Sequence, residues 1–235
     1  MSPHLAALPA TLAVCALGLA LASCGARRAV PCASDIDCGA ATSCDEGSCI
    51  SPRTTRPPDL RPRAVSLTPL DDGTVVSAAS QTEAFGGHDV LAVGAGPGGQ
   101  AYRSYLRFDL REVGRGRVAR AKLRLAARPR WCAGETPLEV VAYQAASGWT
   151  QAGLTWLGQP GGSGPPVGRA FVRPAYEGET VIDLTEVVRR WISRASPNHG
   201  VVLRAARETA DMRVAWSSSE ATVVRQRPTL DIEIE

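Results

Sequence analysis

From residue 64 onward, apolar and polar positions alternate mostly with period two, the pattern of half-buried strands. In Ser104–Leu110 the alternation is clean: Leu106, Phe108 and Leu110 face one way, and Tyr105, Arg107 and Asp109 the other. Val118–Leu125 repeats it, with Ala121, Leu123 and Leu125 opposed to Lys122 and Arg124. Further strands are predicted at Thr74–Ser77, Asp89–Val93, Leu138–Gln144, Gly168–Val172, Thr180–Ile182, Gly200–Ala205, Met212–Ser217 and Thr229–Ile234. Glycine- and proline-rich turns separate them, at Gly86-Gly87, Gly94–Gly99, Gly114–Gly116, Gly161–Pro166 and Pro197–Gly200. One segment departs from period two. Leu184, Val187, Val188, Trp191 and Ile192 recur at helical spacing, so a short amphipathic helix is expected, with Asp183 as N-cap and Glu186 completing a capping box. Many short strands and one helix predict an all-β, jelly-roll-like β-sandwich over residues 64–235.

The chain before residue 64 has a different texture. Leu5 to Ala22 is apolar except for Thr11, which suits a secretory signal peptide over residues 1–23 better than a membrane span. It ends Leu21-Ala22-Ser23-Cys24-Gly25. This resembles the bacterial lipoprotein box, and the resemblance implies that Cys24 carries a diacylglyceryl thioether and becomes the first residue of the mature chain. Two or three acyl chains anchor firmly where one is marginal. Gly25 in place of an aspartate points to the outer membrane or cell surface. Residues 24–50 then hold Cys32, Cys38, Cys44 and Cys49. In an exported chain these read as two disulfides, with three pairings open; zinc is the alternative, without a CxxC pair or a nearby histidine to support it. The spacing is similar to the short cysteine-rich stalks that follow the lipoprotein box in myxobacterial surface proteins. Residues 51–63, SPRTTRPPDLRPR, read as an extended proline- and arginine-rich linker.

Composition narrows the functional classes. The 235 residues carry 26 Lys plus Arg and 23 Asp plus Glu, a formal charge of +3. That balance gives no support to nucleic-acid binding, and 44 % hydrophobic content excludes wholesale disorder. No GxSxG, HExxH or P-loop is present, and Gly94–Gly99 lacks the GK[ST] ending of a phosphate loop, so it reads as a hairpin turn. No catalytic constellation or cofactor is readable. Asp109 and Glu220 are read as salt-bridge partners in preference to calcium ligands, Cys132 as a buried thiol beside Trp131, His88 as solvated, His199 as turn packing, and Trp149, Trp156 and Trp216 as core.

A series of motifs runs through the strand-rich part. It comprises Asp72-Gly73-Thr74-Val75, Phe85-Gly86-Gly87, Leu91-Ala92-Val93, Arg103 to Leu110, Ala121 to Leu125, Leu154-Thr155-Trp156, Asp183-Leu184-Thr185, Asn198-His199-Gly200, Ser218-Ser219-Glu220 and Arg227 to Leu230. In this order the series resembles the DNRLRE-domain family over about residues 67–235; that family is related to the disaggregatase repeat and to a carbohydrate-binding module family that includes alginate binders. Phe85-Gly86-Gly87 departs from the usual Asn-aromatic-Gly. The resemblance implies a non-catalytic β-sandwich with polysaccharide as its partner. Strand alternation supplies a candidate surface. If Ser104–Leu110 and Val118–Leu125 pair as a hairpin, then Tyr105, Arg107, Arg120, Lys122 and Arg124 form one basic face with an aromatic ring, suited to an acidic glycan. The competing functional classes are a structural or adhesion module that binds protein, and a glycan lyase or hydrolase.

Overall fold

A computed structural model describes residues 31–39, 42–50, 63–77, 88–114, 116–208 and 211–235. Cys24, the predicted leader and nearly all of the linker lie outside the described residues, as does Phe85-Gly86-Gly87. The chain divides into two units, Met1–Asp59 and Leu60–Glu235.

In the first unit, β1 (Ser43–Asp45) and β2 (Ser48–Ile50) form an antiparallel hairpin. Its two central residues, Glu46 and Gly47, both have positive φ, the requirement of the tightest hairpin turn. Cys44 and Cys49 are cross-strand partners, yet each bonds elsewhere: Cys32 to Cys44 and Cys38 to Cys49, with Cα separations of 5.9 and 5.5 Å. The sulfurs of Cys32, Cys38 and Cys49 lie within 4.8 Å of one another, but as disulfides they offer no thiolate to zinc. So short a segment has no apolar core, and the two bonds take its place.

The second unit is a sandwich. Its strands are β3 (Arg63–Leu67), β4 (Asp71–Val76), β5 (Val90–Ala95), β6 (Ala101–Arg107), β7 (Val118–Ala126), β8 (Leu138–Ala145), β9 (Gly162–Val172), β10 (Glu179–Asp183), β11 (Val201–Ala205), β12 (Arg213–Ser217) and β13 (Thr229–Ile234). A four-stranded sheet runs β10-β7-β13-β3. A seven-stranded sheet runs β12-β5-β6-β11-β8-β9, with β4 also paired to β6. Leu123, Leu125, Ile182, Leu230 and Ile232 of the first sheet meet Leu91, Leu106, Val140, Leu203 and Trp216 of the second in one core. The helix α1 (Thr185–Ile192) buries Val187, Val188 and Trp191 in the same core. It begins where β10 ends and takes over the edge of β7. Thr185 Oγ1 accepts the Ala121 N–H at 3.0 Å, and Arg189 donates to the Val118 and Ala119 carbonyls at 2.8 and 3.0 Å. Asp183 does accept the Thr185 N–H, at 2.8 Å, but Glu186 closes no capping box; it pairs with Arg189.

Three strand limits differ from the alternation. β3 falls where composition reads linker and sandwich boundary, because a five-residue edge strand with only Leu67 fully buried carries little pattern. β9 runs through the expected Gly161–Pro166 turn. There the register slips: Ala142 faces Gly168 while Gln144 faces Ser163, so four residues stand opposite Tyr143. This edge bulge is where prolines are tolerated, since no ladder N–H is asked of them. β6 stops at Arg107, and the chain crosses to the other sheet before β7 starts. The expected β6–β7 hairpin therefore does not form.

Polar groups bind the sheets' irregular edge. β5 meets β6 at only two residue pairs, next to the Gly94–Gly99 hairpin turn. Beyond them its backbone is served by side chains: Thr74 Oγ1 accepts the Ala92 N–H at 3.0 Å, Ser104 donates to the Ala92 carbonyl at 2.8 Å, and the two hydroxyls bond each other at 3.0 Å. Two and three residue pairs along the β4–β6 ladder, Asp72 and Asp71 stitch loops to β4. Asp71 pairs with Arg107 and accepts the Gln151 N–H at 3.0 Å. Asp72 is 1 % exposed and accepts the Ser219 N–H at 2.7 Å and its hydroxyl at 2.9 Å. Burial raises the Asp72 carboxyl to about 6 against the two hydrogen bonds, with the nearby Glu220 and Asp71 charges adding to the rise.

Two outcomes are expected. Mass spectrometry of the unreduced, exported chain should find Cys32–Cys44 and Cys38–Cys49 peptides and no free thiol among these four. For Asp72, the folded chain keeps a proton that the unfolded chain releases between about pH 4 and 6, so stability falls as pH rises through that window, by roughly 3 kcal/mol. Asp72→Asn retains both bonds to Ser219, because its amide accepts the N–H and donates to the hydroxyl, but carries no charge. In urea unfolding the stability of Asp72→Asn relative to wild type should rise from pH 4 to pH 7.5. A difference that does not change with pH would contradict the assignment.

Candidate functional site

The five residues of the expected basic face lie in two different sheets. Tyr105 and Arg107 are on β6 of the seven-stranded sheet; Arg120, Lys122 and Arg124 are on β7 of the four-stranded one. The β7 residues do point outward, but they are not a basic patch. Arg124 pairs with both Glu179 and Asp231 at 2.6 Å, and Arg120 lies 3.6 Å from Glu233. Lys122 sits in register between Asp183 and Asp231. Three cations thus face four carboxylates from the flanking β10 and β13. Neighbouring strands supply the counter-charges that one strand's sequence does not show.

Tyr105 is 1 % exposed. Its outer side is covered by the segment from Ala146 to Gly161, which folds over the sheet and buries Trp149 and Leu154 against Val75, Tyr105, Ala145 and Val202. The Tyr105 ring meets Trp149 edge-on at 5.5 Å, and its hydroxyl donates to the Pro160 carbonyl at 2.7 Å. Burial pushes the phenol pKa up. Trp149 in turn donates to the His199 carbonyl at 2.8 Å, and Asn198 binds the Phe108 carbonyl, so the Asn198-His199-Gly200 turn is a structural clamp. Gly200 is required there: φ is +79°, and a Cβ would stand 2.2 Å from the Leu106 carbonyl oxygen.

Beyond this covered cluster, the same sheet face ends in a row of arginines and rings. The Arg103 guanidinium lies 4.6 Å from the Trp156 ring centroid, and that of Arg204 lies 4.2 Å from Tyr143. Arg103 (β6) and Arg204 (β11) are each one residue beyond the Ser104–Leu203 pair, so the two cations are cross-strand neighbours. Both rings are half-buried. Arg103 is clamped by Glu208 at 2.7 and 3.1 Å. Arg204 has no carboxylate partner among the described residues. A guanidinium stacked on an aromatic face keeps its plane fixed and its N–H edge free for a planar anion such as a carboxylate. Two guanidiniums against one carboxylate leave this face one positive charge in excess. Tyr143 and Arg204 are polar-tipped residues within apolar alternations, a signal present in the sequence; Trp156 alone of the three grouped tryptophans lies at the surface of this face, while Trp216 is fully buried and donates to Thr180.

The remaining candidates take ordinary places. Asp109 accepts from the Arg111 backbone and guanidinium, which hold its carboxyl down at about 2. Glu220 accepts from the Gln151 amide, not from an arginine. The half-buried Cys132 thiol accepts the Ala215 N–H at 3.3 Å, and burial pushes its pKa up. Among the described residues, the only set of three side chains able to converge on one metal ion is made of disulfide cysteines.

No curated protein matches the chain. The sequence model of carbohydrate-binding module family 96 matches residues 63–233, from the first residue of β3 into β13. The match takes in both sheets, the covering segment and the arginine–aromatic row, and it supports the broader relationship to a carbohydrate-binding module family read from the motifs, while the DNRLRE name goes beyond it. The chain belongs to carbohydrate-binding module family 96.

Proposed function

We propose that the sandwich binds an acidic polysaccharide without turning it over, on the outer face of the seven-stranded sheet around Arg103, Tyr143, Trp156 and Arg204. The observation that carries this reading is Arg204: stacked on Tyr143 and without a carboxylate partner among the described residues, it presents an ordered, uncompensated guanidinium beside a second one. A uronate or sulfate ester matches that geometry, and the half-exposed rings add stacking area for a sugar face. The membership of a carbohydrate-binding family supports the partner class. The lipoprotein box at Cys24 belongs to the same proposal: a diacylglyceryl anchor would hold the module at the cell envelope, on the outer membrane, with the disulfide unit and linker as a stalk.

Arg204→Ala should weaken an acidic oligosaccharide by at least about tenfold, since a charge-assisted hydrogen bond is worth roughly 1.5–3 kcal/mol. Wild-type binding should weaken with added salt. Arg120→Ala/Arg124→Ala should bind as wild type, because those cations are already neutralised. Titration calorimetry separates these outcomes; an Arg204→Ala chain that binds as wild type overturns the proposed face. Cys24→Ala should abolish incorporation of radiolabelled fatty acid and release the protein from membranes. Label retained in that variant would refute the anchor.

A further inference from the structure

The strand position before Arg103 points the other way. Tyr102 leaves the opposite side of β6 and, with Thr74, Val76, His88, Asp89, Trp131 and Arg213, lines a groove of about 400 Å³. Trp131 is 50 % exposed. A half-exposed tryptophan offers a ligand a broad apolar face, and here it is not on a loose loop. It ends the Pro129–Trp131 turn, which is tied to β12 at several points. The Arg128 N–H donates to the Ala215 carbonyl at 2.8 Å, Ala133 and Arg213 exchange backbone bonds at 2.8 and 3.0 Å, and Arg213 Nε donates to the Trp131 carbonyl at 2.8 Å. The same Arg213 guanidinium lies 5.0 Å from the centroid of Tyr102. The Trp131 backbone, the Arg213 guanidinium and the Tyr102 ring are thus tied together beside a groove whose apolar lining includes Val76, Val90 and Ala92.

We infer that this groove is a second sugar site, taking one pyranose ring of a polysaccharide chain by stacking on Trp131, with Arg213 and Asp89 at its polar rim. The inference rests on the polysaccharide reading of the module but not on the arginine face. A pyranose has an apolar C–H face and an equatorial rim of hydroxyls, which fits an apolar floor with few polar groups at the edge. Asp89 is paired with Arg128 at 2.8 Å, while Arg213, held over Tyr102, has no carboxylate partner among the described residues, so the rim carries one cation beside the stacking ring. Tyr102 and Arg103 are adjacent in one strand and emerge on opposite sides, so one sugar unit cannot occupy both sites. The module is then divalent and links two polysaccharide chains, or two stretches of one.

The full chain titrated with a uronic-acid tetrasaccharide tests this. Wild type should show two binding events per chain. Trp131→Ala should weaken one of them by tenfold or more, and Trp131→Phe should restore part of it. Arg204→Ala should weaken only the other. If Trp131→Ala keeps both events, or if wild type shows a single event that Arg204→Ala alone removes, the groove falls while the arginine face stands. If wild type shows a single event that Trp131→Ala alone removes, the arginine face falls and the groove stands. A single event that both variants remove means one continuous surface and overturns the second site. No event at all overturns both.

Discussion

Two adjacent carboxylates at the start of β4 tie down the loops beside the outer face of the seven-stranded sheet. Asp71 ties Gln151 and Arg107 together, and Asp72 ties down Ser219. Gln151 in turn donates to Glu220, which closes the set. The first of these ties anchors the covering segment that carries Trp149, Leu154 and Trp156. Without it the outer face of the seven-stranded sheet would be an open apolar surface with Tyr105 and Val202 in water. The arrangement has a cost. A carboxylate that is 1 % exposed is desolvated, and two hydrogen bonds from one serine offset only part of that. The molecule accepts that burial in exchange for a fixed turn at Ser219.

The covering segment held by Asp71 divides the sheet face into two zones. Under the loop, Tyr105, Trp149 and Leu154 pack as a second, smaller core. At its margin, Trp156 is left half-exposed and supports Arg103. The neighbouring Tyr143 supports Arg204 from the sheet itself. A guanidinium stacked on a ring has already given up rotamer freedom, so less would be lost if an anion bound there. The opposite face of the sandwich uses its cations differently. Arg120 and Arg124 are tied to acids on β13 and β10, which keeps the exposed sheet polar and stable in water without leaving charge to offer. Similar residue types are therefore paired with acids on one face, while on the other Arg204 is left without a carboxylate partner among the described residues.

The period-two alternation was sufficient to find ten of the sandwich strands and the helical period to find α1, because burial on one face leaves its mark every second or every fourth residue whatever the topology. The cysteine segment, the glycine hairpin after β5 and the polysaccharide-binding relationship were likewise legible, since each depends on residue types at short spacing. So was the outward direction of Lys122 and Arg124. What one strand's sequence does not hold is its neighbour. β6 and β7 are adjacent in the chain but belong to different sheets, so Tyr105 and Arg107 never meet Arg120. Acids 55 and 107 residues away neutralise Arg124. A segment more than forty residues on buries Tyr105, and Arg103 and Arg204 become neighbours across about a hundred positions. Alternation is a local consequence of backbone geometry, whereas pairing order and loop coverage are set by long-range packing; the first determined which side of each strand faces water, and only the second decided which charges and rings share a surface.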